Sequence, residues 1–164
     1  MKSSSVRIAT IVCLVVLLFG VQATIQSMEM QSGQQSKSAR KVIKPEAYPY
    51  FGLPYSPGIQ FGGTLYVAGH LGRDPESTKL VEGGIEAETR QAMANVHEVL
   101  KAAGMDFEDV ASVTAYIVDI GEFPKFNEVY RTYFPSDPPA RATVQVAALN
   151  AGARIELQMI AVKP

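Results

Sequence analysis

Apolar residues recur along this chain in two rhythms, one of period two and one of period 3.6, and each rhythm marks an element. The alternating one appears first at residues 58–61 and 64–69, on either side of Gly62-Gly63. A two-residue glycine link between such runs predicts a β-hairpin. Further strands are predicted over 110–120, 142–147 and 154–162, and a shorter one over 41–44 is stopped by Pro45. The helical rhythm occupies 85–103, with apolar residues at 85, 92, 93, 96, 99, 100 and 103. Glu86 and Glu88 suit the positive end of that helix, and Gly104 suits its termination. A second helix is predicted over 122–133, where Phe123, Phe126, Val129, Tyr130 and Tyr133 share a face. Pro124 is tolerated in its first turn, and Pro135 lies beyond its end.

The order is three strands, a helix, a strand, a helix and two strands. Two helices cover one face of a sheet but not both, so the expected architecture is an α+β domain with both helices on a single face. The other face is left uncovered and partly apolar. Such a face is buried against copies of the same chain, and a homo-oligomer is the expectation.

The first residues change the accounting. Lys2 and Arg7 precede an apolar run of about fourteen residues, 8–21, and Val21-Gln22-Ala23 has the small-x-small form of a cleavage signal. That pattern predicts a secretory signal peptide at 1–23, since the run falls short of the roughly 20 residues a spanning helix needs. The expected location is periplasmic or secreted, without stable membrane association after cleavage; the alternative is an uncleaved N-terminal anchor. Removing Lys2, Arg7 and Cys13 leaves 13 basic residues against 16 acidic ones and no cysteine. A cysteine-free chain suits an oxidising compartment. Mild acidity without a basic cluster argues against nucleic acid as a partner. Residues 24–40 read as a flexible polar lead-in, and 41–164 as one domain.

Two residues carry candidate chemistry. Arg141 follows Pro138-Pro139-Ala140, and the proline pair stiffens the approach so that the guanidinium leaves the chain at a fixed place. Glu156 lies inside the apolar strand Ile155-Glu156-Leu157-Gln158-Met159-Ile160-Ala161-Val162. A fork-shaped cation suited to carboxylates and a carboxylate in an apolar strand are what a small site for an anion and a water needs. Arg141 equally fits a structural arginine paired with an acid, and Glu156 a solvent-facing residue at a sheet edge. The period-two rule puts Glu156 on a face with Gln158 and Ile160, which leaves both readings open. Tyr55 fits packing as well as function, His70 fits a polar residue with a partner, and His97 fits the surface. Two separated histidines and no mature cysteine predict no metal site.

Several blocks together resemble the RidA/YjgF family, the reactive-intermediate imine deaminases. They are Gly52-Leu53-Pro54-Tyr55-Ser56-Pro57-Gly58, Leu65-Tyr66-Val67-Ala68-Gly69, Glu88-Thr89-Arg90-Gln91-Ala92 leading to Asn95-Val96, and Ala102-Ala103-Gly104. Phe126-Asn127-Glu128-Val129-Tyr130 follows, then Pro139-Ala140-Arg141-Ala142-Thr143-Val144-Gln145-Val146-Ala147 with Ile155-Glu156. The resemblance runs from about Val42 to Val162. It implies a chorismate-mutase-like fold, with a single mixed sheet carrying two helices on one face. It also implies a homotrimer around a central β-barrel, with clefts between subunits.

The same resemblance implies hydrolysis of 2-imino or enamine acids, such as 2-iminopropanoate and 2-iminobutanoate, to 2-keto acids and ammonia, with no metal and no organic cofactor. Arg141 would hold the substrate carboxylate in a bidentate pair, and the backbone amide of Gly69 would add a contact. Glu156 would hold and polarise the water, helped by the main chain at Thr143. Tyr55 would close the cleft from a neighbouring subunit, and Asn127 would be a hydrogen-bonding support near the interface. The chain departs from the family at Pro57, Ala68, His70, Gln145 and Gln158, which bears on substrate preference. Competing readings are a non-enzymatic binder of small carboxylates or keto acids, and a stress chaperone or the ribonuclease and translation-inhibitor roles known for some members of that family, of which the acidic charge without a basic patch disfavours those on RNA.

Overall fold

The computed structural model describes residues 39–46 and 54–163; the expected signal segment at 1–23, the lead-in as far as residue 38 and the aromatic stretch 47–53 lie outside them. Eight principal elements follow in the order β1 (Lys41–Ile43), β2 (Gly58–Phe61), β3 (Thr64–Leu71), α1 (Gly84–Ala102), β4 (Val110–Ile117), α2 (Phe123–Tyr130), β5 (Ala140–Gln145) and β6 (Ile155–Val162). The strands form one six-stranded sheet in the order β1-β2-β3-β6-β4-β5. β4 and β5 run parallel, as a connection carrying a helix allows, and every other neighbouring pair is antiparallel. The α+β class and the single mixed sheet with two helices are as expected.

The core lies between sheet and helices. Ile155, Leu157, Met159 and Ala161 alternate along β6 into one cluster with Ile85, Ala92, Met93, Val96, Val99 and Leu100 of α1 and Phe126 of α2. The opposite face of β6 carries Glu156, Gln158, Ile160 and Val162, all more exposed. Gly104, at φ 72°, takes the left-handed conformation that ends α1, and the N–H of Ala103 returns to the carbonyl of Val99.

The boundaries differ from the sequence pattern for identifiable reasons. β3 continues to Leu71 because its register slips between Val67 and His70 and then pairs with β6 again. That slip directs His70 toward the core, opposite Leu157, where it is 3% exposed. β4 stops at Ile117, and the Asp119 carboxylate accepts from the Gly121 N–H to cap a short turn. α2 ends at Tyr130 because Thr132 and Tyr133 donate to carbonyls three residues back, which tightens the chain out of the α-helix. His97 is half-exposed, 3.0 Å from Asp106 and stacked on Phe107.

Glu88 fastens α1 to the sheet. It is 5% exposed and accepts a hydrogen bond of 2.8 Å from the backbone N–H of Arg154, one residue ahead of β6. The Arg154 guanidinium is held by two 3.0 Å bonds to Glu122. Burial raises the Glu88 carboxyl above its ordinary value, with the Arg154 N–H and charge pulling the other way.

Glu88→Ala leaves that N–H without its acceptor and is expected to cost about 1–3 kcal/mol in urea denaturation, whereas Glu88→Gln keeps an acceptor and costs less. The folded-state pKa is the raised one, so the stability this group contributes is full below its unfolded value. It is lost as pH rises through the folded value. Glu88→Gln does not titrate and should therefore gain on the wild type as pH rises above the ordinary glutamate value of about 4.3; a variant that instead loses ground to the wild type over that rise refutes this assignment.

Candidate functional site

Arg141 belongs to β5, the edge strand, where it pairs with Val113 of β4. Val113 is a core residue, so the register turns the arginine toward α2. Its Nη2 donates to Oδ1 of Asn127 at 2.7 Å. The guanidinium carbon lies 4.4 Å from the ring centre of Tyr130, 5.0 Å from Phe126 and 5.6 Å from Phe123. These rings all project from α2 and attract the cation through their faces. Among the described residues Arg141 has no acidic partner, which removes the reading of an arginine neutralised by a neighbouring acid. A guanidinium has five N–H donors, and the remaining ones are available to an anion.

A cavity of about 380 Å³ opens beside it, lined by Arg141, Asn127, Tyr130, Arg131, Phe134 and the Pro138-Pro139 pair. The Tyr130 hydroxyl is buried beside Arg141 with no acceptor for its own proton, and burial pushes its pKa up to about 12, against the charge and hydrogen bonding of the Arg141 guanidinium. Thr143 is two residues along β5 from Arg141 and so shares its face; its hydroxyl is buried without a hydrogen bond.

Glu156 occupies the middle of the sheet. β6 lies between β3 and β4, and Glu156 pairs with Leu71 on one side and Tyr116 on the other, so it is not an edge residue. Its carboxylate lies against Gly69, where a Cβ would collide with Oε1. Only a residue without a side chain permits that approach. Glu156 forms no hydrogen bond or ion pair among the described residues, and burial alone raises its pKa. A half-buried carboxylate without a protein donor is a place for a water or a substrate proton.

The six residues singled out from the sequence thus fall into two groups and an outlier. Arg141, Asn127 and Thr143 form one group; Glu156 and Gly69 form the other. Tyr55 is 55% exposed, just ahead of β2. One chain does not bring the two groups into a common crevice. Val113 pairs with both Arg141 and Met159, and Glu156 is an odd number of residues from Met159, so its side chain points to the opposite face from Arg141. His70 faces the core, away from Glu156, and desolvation lowers its pKa to about 4 against the pull of the Pro57 carbonyl. It is a buried polar residue with a backbone partner at Pro57. The aromatic cradle was not anticipated, although Phe123, Phe126 and Tyr130, spaced three and four apart, were legible as one helix face.

The chain matches the family described as Endoribonuclease L-PSP over residues 46–163. It is 45% identical over 128 residues to the mouse (Mus musculus) 2-iminobutanoate/2-iminopropanoate deaminase, covering 78% of this chain and 95% of that one. Among solved structures, a putative endoribonuclease from Thermotoga maritima superposes with a TM-score of 0.74 at 35% identity, over 77% of this chain and 99% of that one. E. coli TdcF with bound serine superposes with a TM-score of 0.71 at 28% identity, over 76% and 99%.

The environment of Glu156 has a spectroscopic consequence. Followed by carboxyl ¹³C NMR, Glu156 is expected to titrate above the ordinary glutamate value of about 4.3, because burial is the cause and no donor opposes it. Titration at or below that value would mean a donor or cation reaches the carboxylate in solution.

Proposed function

The chain belongs to the endoribonuclease L-PSP family, and we propose that it hydrolyses 2-imino acids and their enamine tautomers to 2-keto acids and ammonia. The observation that carries this reading is a guanidinium held without an acid, together with a half-buried carboxylate held without a donor. The first is an anion grip and the second a water holder. Relatives named as iminobutanoate/iminopropanoate deaminases support the reaction class. The serine bound to E. coli TdcF, an α-amino carboxylate, supports the ligand class.

In the reaction, Arg141 takes the substrate carboxylate in two parallel hydrogen bonds while Asn127 holds the guanidinium from behind. The Gly69 N–H adds a further donor to the substrate. Glu156 accepts a proton from the water as its oxygen bonds to the imine carbon. Glu156 returns that proton to nitrogen, and the carbon–nitrogen bond then breaks as the new hydroxyl gives up its own proton and becomes the keto C=O, so that nitrogen leaves as ammonia. A raised pKa brings Glu156 nearer to neutrality, which suits a group that takes and gives back one proton. The main chain at Thr143 helps to seat the water, and Tyr55 closes the cleft. A protonated imine carbon is already electrophilic, so orientation and a positioned water are most of what is needed, without metal or organic cofactor.

The site is completed between subunits, with the Arg141 group of one copy facing the Glu156 group of the next. Such a head-to-tail contact closes into a ring, here a homotrimer. Tyr66, Val144 and Val162, exposed on the helix-free face, supply apolar surface to bury in its central barrel. Export through residues 1–23 completes the proposal; N-terminal sequencing of the chain from the extracytoplasmic fraction is expected to begin at residue 24.

Imine produced by an amino-acid oxidase and trapped with semicarbazide gives the rate. Arg141→Ala is expected to lower kcat/KM about 10²-fold or more, and Glu156→Gln to lower kcat by about 10²–10⁴. Refolded together in equal amounts, the two variants should regain roughly a quarter of the wild-type rate, because one interface in four of all those formed carries both intact groups. Wild-type carboxylate binding without any rate effect overturns the enzymatic reading. Variants that stay inactive when mixed overturn the shared site.

A further inference from the structure

The cavity beside Arg141 holds a second guanidinium. Arg131 stands four residues after Asn127, one helical turn further along the same side of α2. It therefore lies next to the side chain that holds Arg141, and both arginines line the same cavity. Neither has an acidic partner among the described residues. Two like charges on one cavity repel each other unless an anion lies between them.

Tyr130 gives an independent sign of a missing ligand. It lies between Asn127 and Arg131 on the helix and lines the cavity, and its buried hydroxyl, beside the donor-only Arg141 guanidinium, has no acceptor for its own proton among the described residues. A buried hydroxyl left in that state is costly, and a polar ligand group entering the cavity relieves it. One cation and one amide are enough to hold a single α-carboxylate. A second cation and a waiting donor are not needed for a substrate whose side chain is a methyl or ethyl group.

We propose that this site takes 2-imino dicarboxylates of four or five carbons, with Arg141 on the α-carboxylate, Arg131 on the distal one and the Tyr130 hydroxyl donating between them. Both guanidiniums line one cavity of about 380 Å³, which gives a short diacid room to reach from one to the other. The inference rests on the hydrolytic reading above and narrows its substrate. An oxidation or dehydrogenation of the C–N bond of an acidic amino acid must supply such an imine. Hydrolysis with one water returns the 2-keto diacid and ammonia.

The test compares 2-iminosuccinate with 2-iminobutanoate, which have the same carbon count and differ by one carboxylate, in the full assembled protein. The wild type is expected to prefer the diacid. Arg131→Gln should lower the diacid-to-monoacid ratio of kcat/KM about tenfold, with Arg131→Lys recovering part of it. Added salt should erode the wild-type preference, because Arg131 is exposed. A ratio unmoved by Arg131→Gln overturns the inference and leaves the hydrolase standing. Calorimetric binding of oxaloacetate against 2-oxobutanoate asks the same question without turnover. Arg131-dependent selectivity for oxaloacetate in a protein that hydrolyses neither imine upholds the diacid site and overturns the hydrolase, whereas equal affinities overturn the diacid site.

Discussion

β6 is hydrogen-bonded on both sides, to β3 where Glu156 faces Leu71 and to β4 where it faces Tyr116, and this double pairing fixes the carboxylate. A slip of one residue would carry Ile155, Leu157, Met159 and Ala161 out of the core and turn Glu156 into it. The apolar stripe that stabilises the fold therefore also holds the polar residue on the helix-free face. The β3 irregularity between Val67 and His70 works with it. It turns His70 into the core and leaves Gly69 against Glu156, the one neighbour small enough to let the carboxylate lie there.

Arg141 is fixed by other means. A salt bridge would hold it well but would occupy the donors an anion needs. Three aromatic faces and one amide oxygen hold the cation through its plane and a single N–H, leaving the fork unneutralised. Each exposed cation–π contact contributes roughly 0.5–1 kcal/mol, more when desolvated, so the cradle competes with an ion pair in strength while keeping the charge available. The Pro138-Pro139 pair limits the backbone just before the residue, so cradle and chain agree on one position.

Much of this was legible in the sequence because it is local. Period-two alternation marked β6 and the face Glu156 shares with Gln158 and Ile160, and period 3.6 marked α1 and the aromatic side of α2. What escaped depends on partners distant in the chain. Alternation fixes which residues of one strand share a face, but not which face of β5 matches which face of β6. That parity is set through β4, by the pairing of Val113 with both Arg141 and Met159. The early end of α2 and the long β3 likewise follow from turn hydrogen bonds and a register slip that composition does not encode.

The opposite orientation of the two groups fits the head-to-tail assembly proposed above. A two-fold axis passing beside Glu156 would bring it toward its own copy, setting two carboxylates without donors against each other in a half-buried place. A two-fold axis passing beside the β5 edge would do the same with Arg141, whose charge has no acidic partner among the described residues. A head-to-tail contact sets each guanidinium toward a carboxylate and leaves room between them for an anion and a water, so neither charge is buried without an opposite nearby. Assembly and chemistry then make the same electrostatic demand, and a chain that satisfied both charges internally would have no reason to meet either.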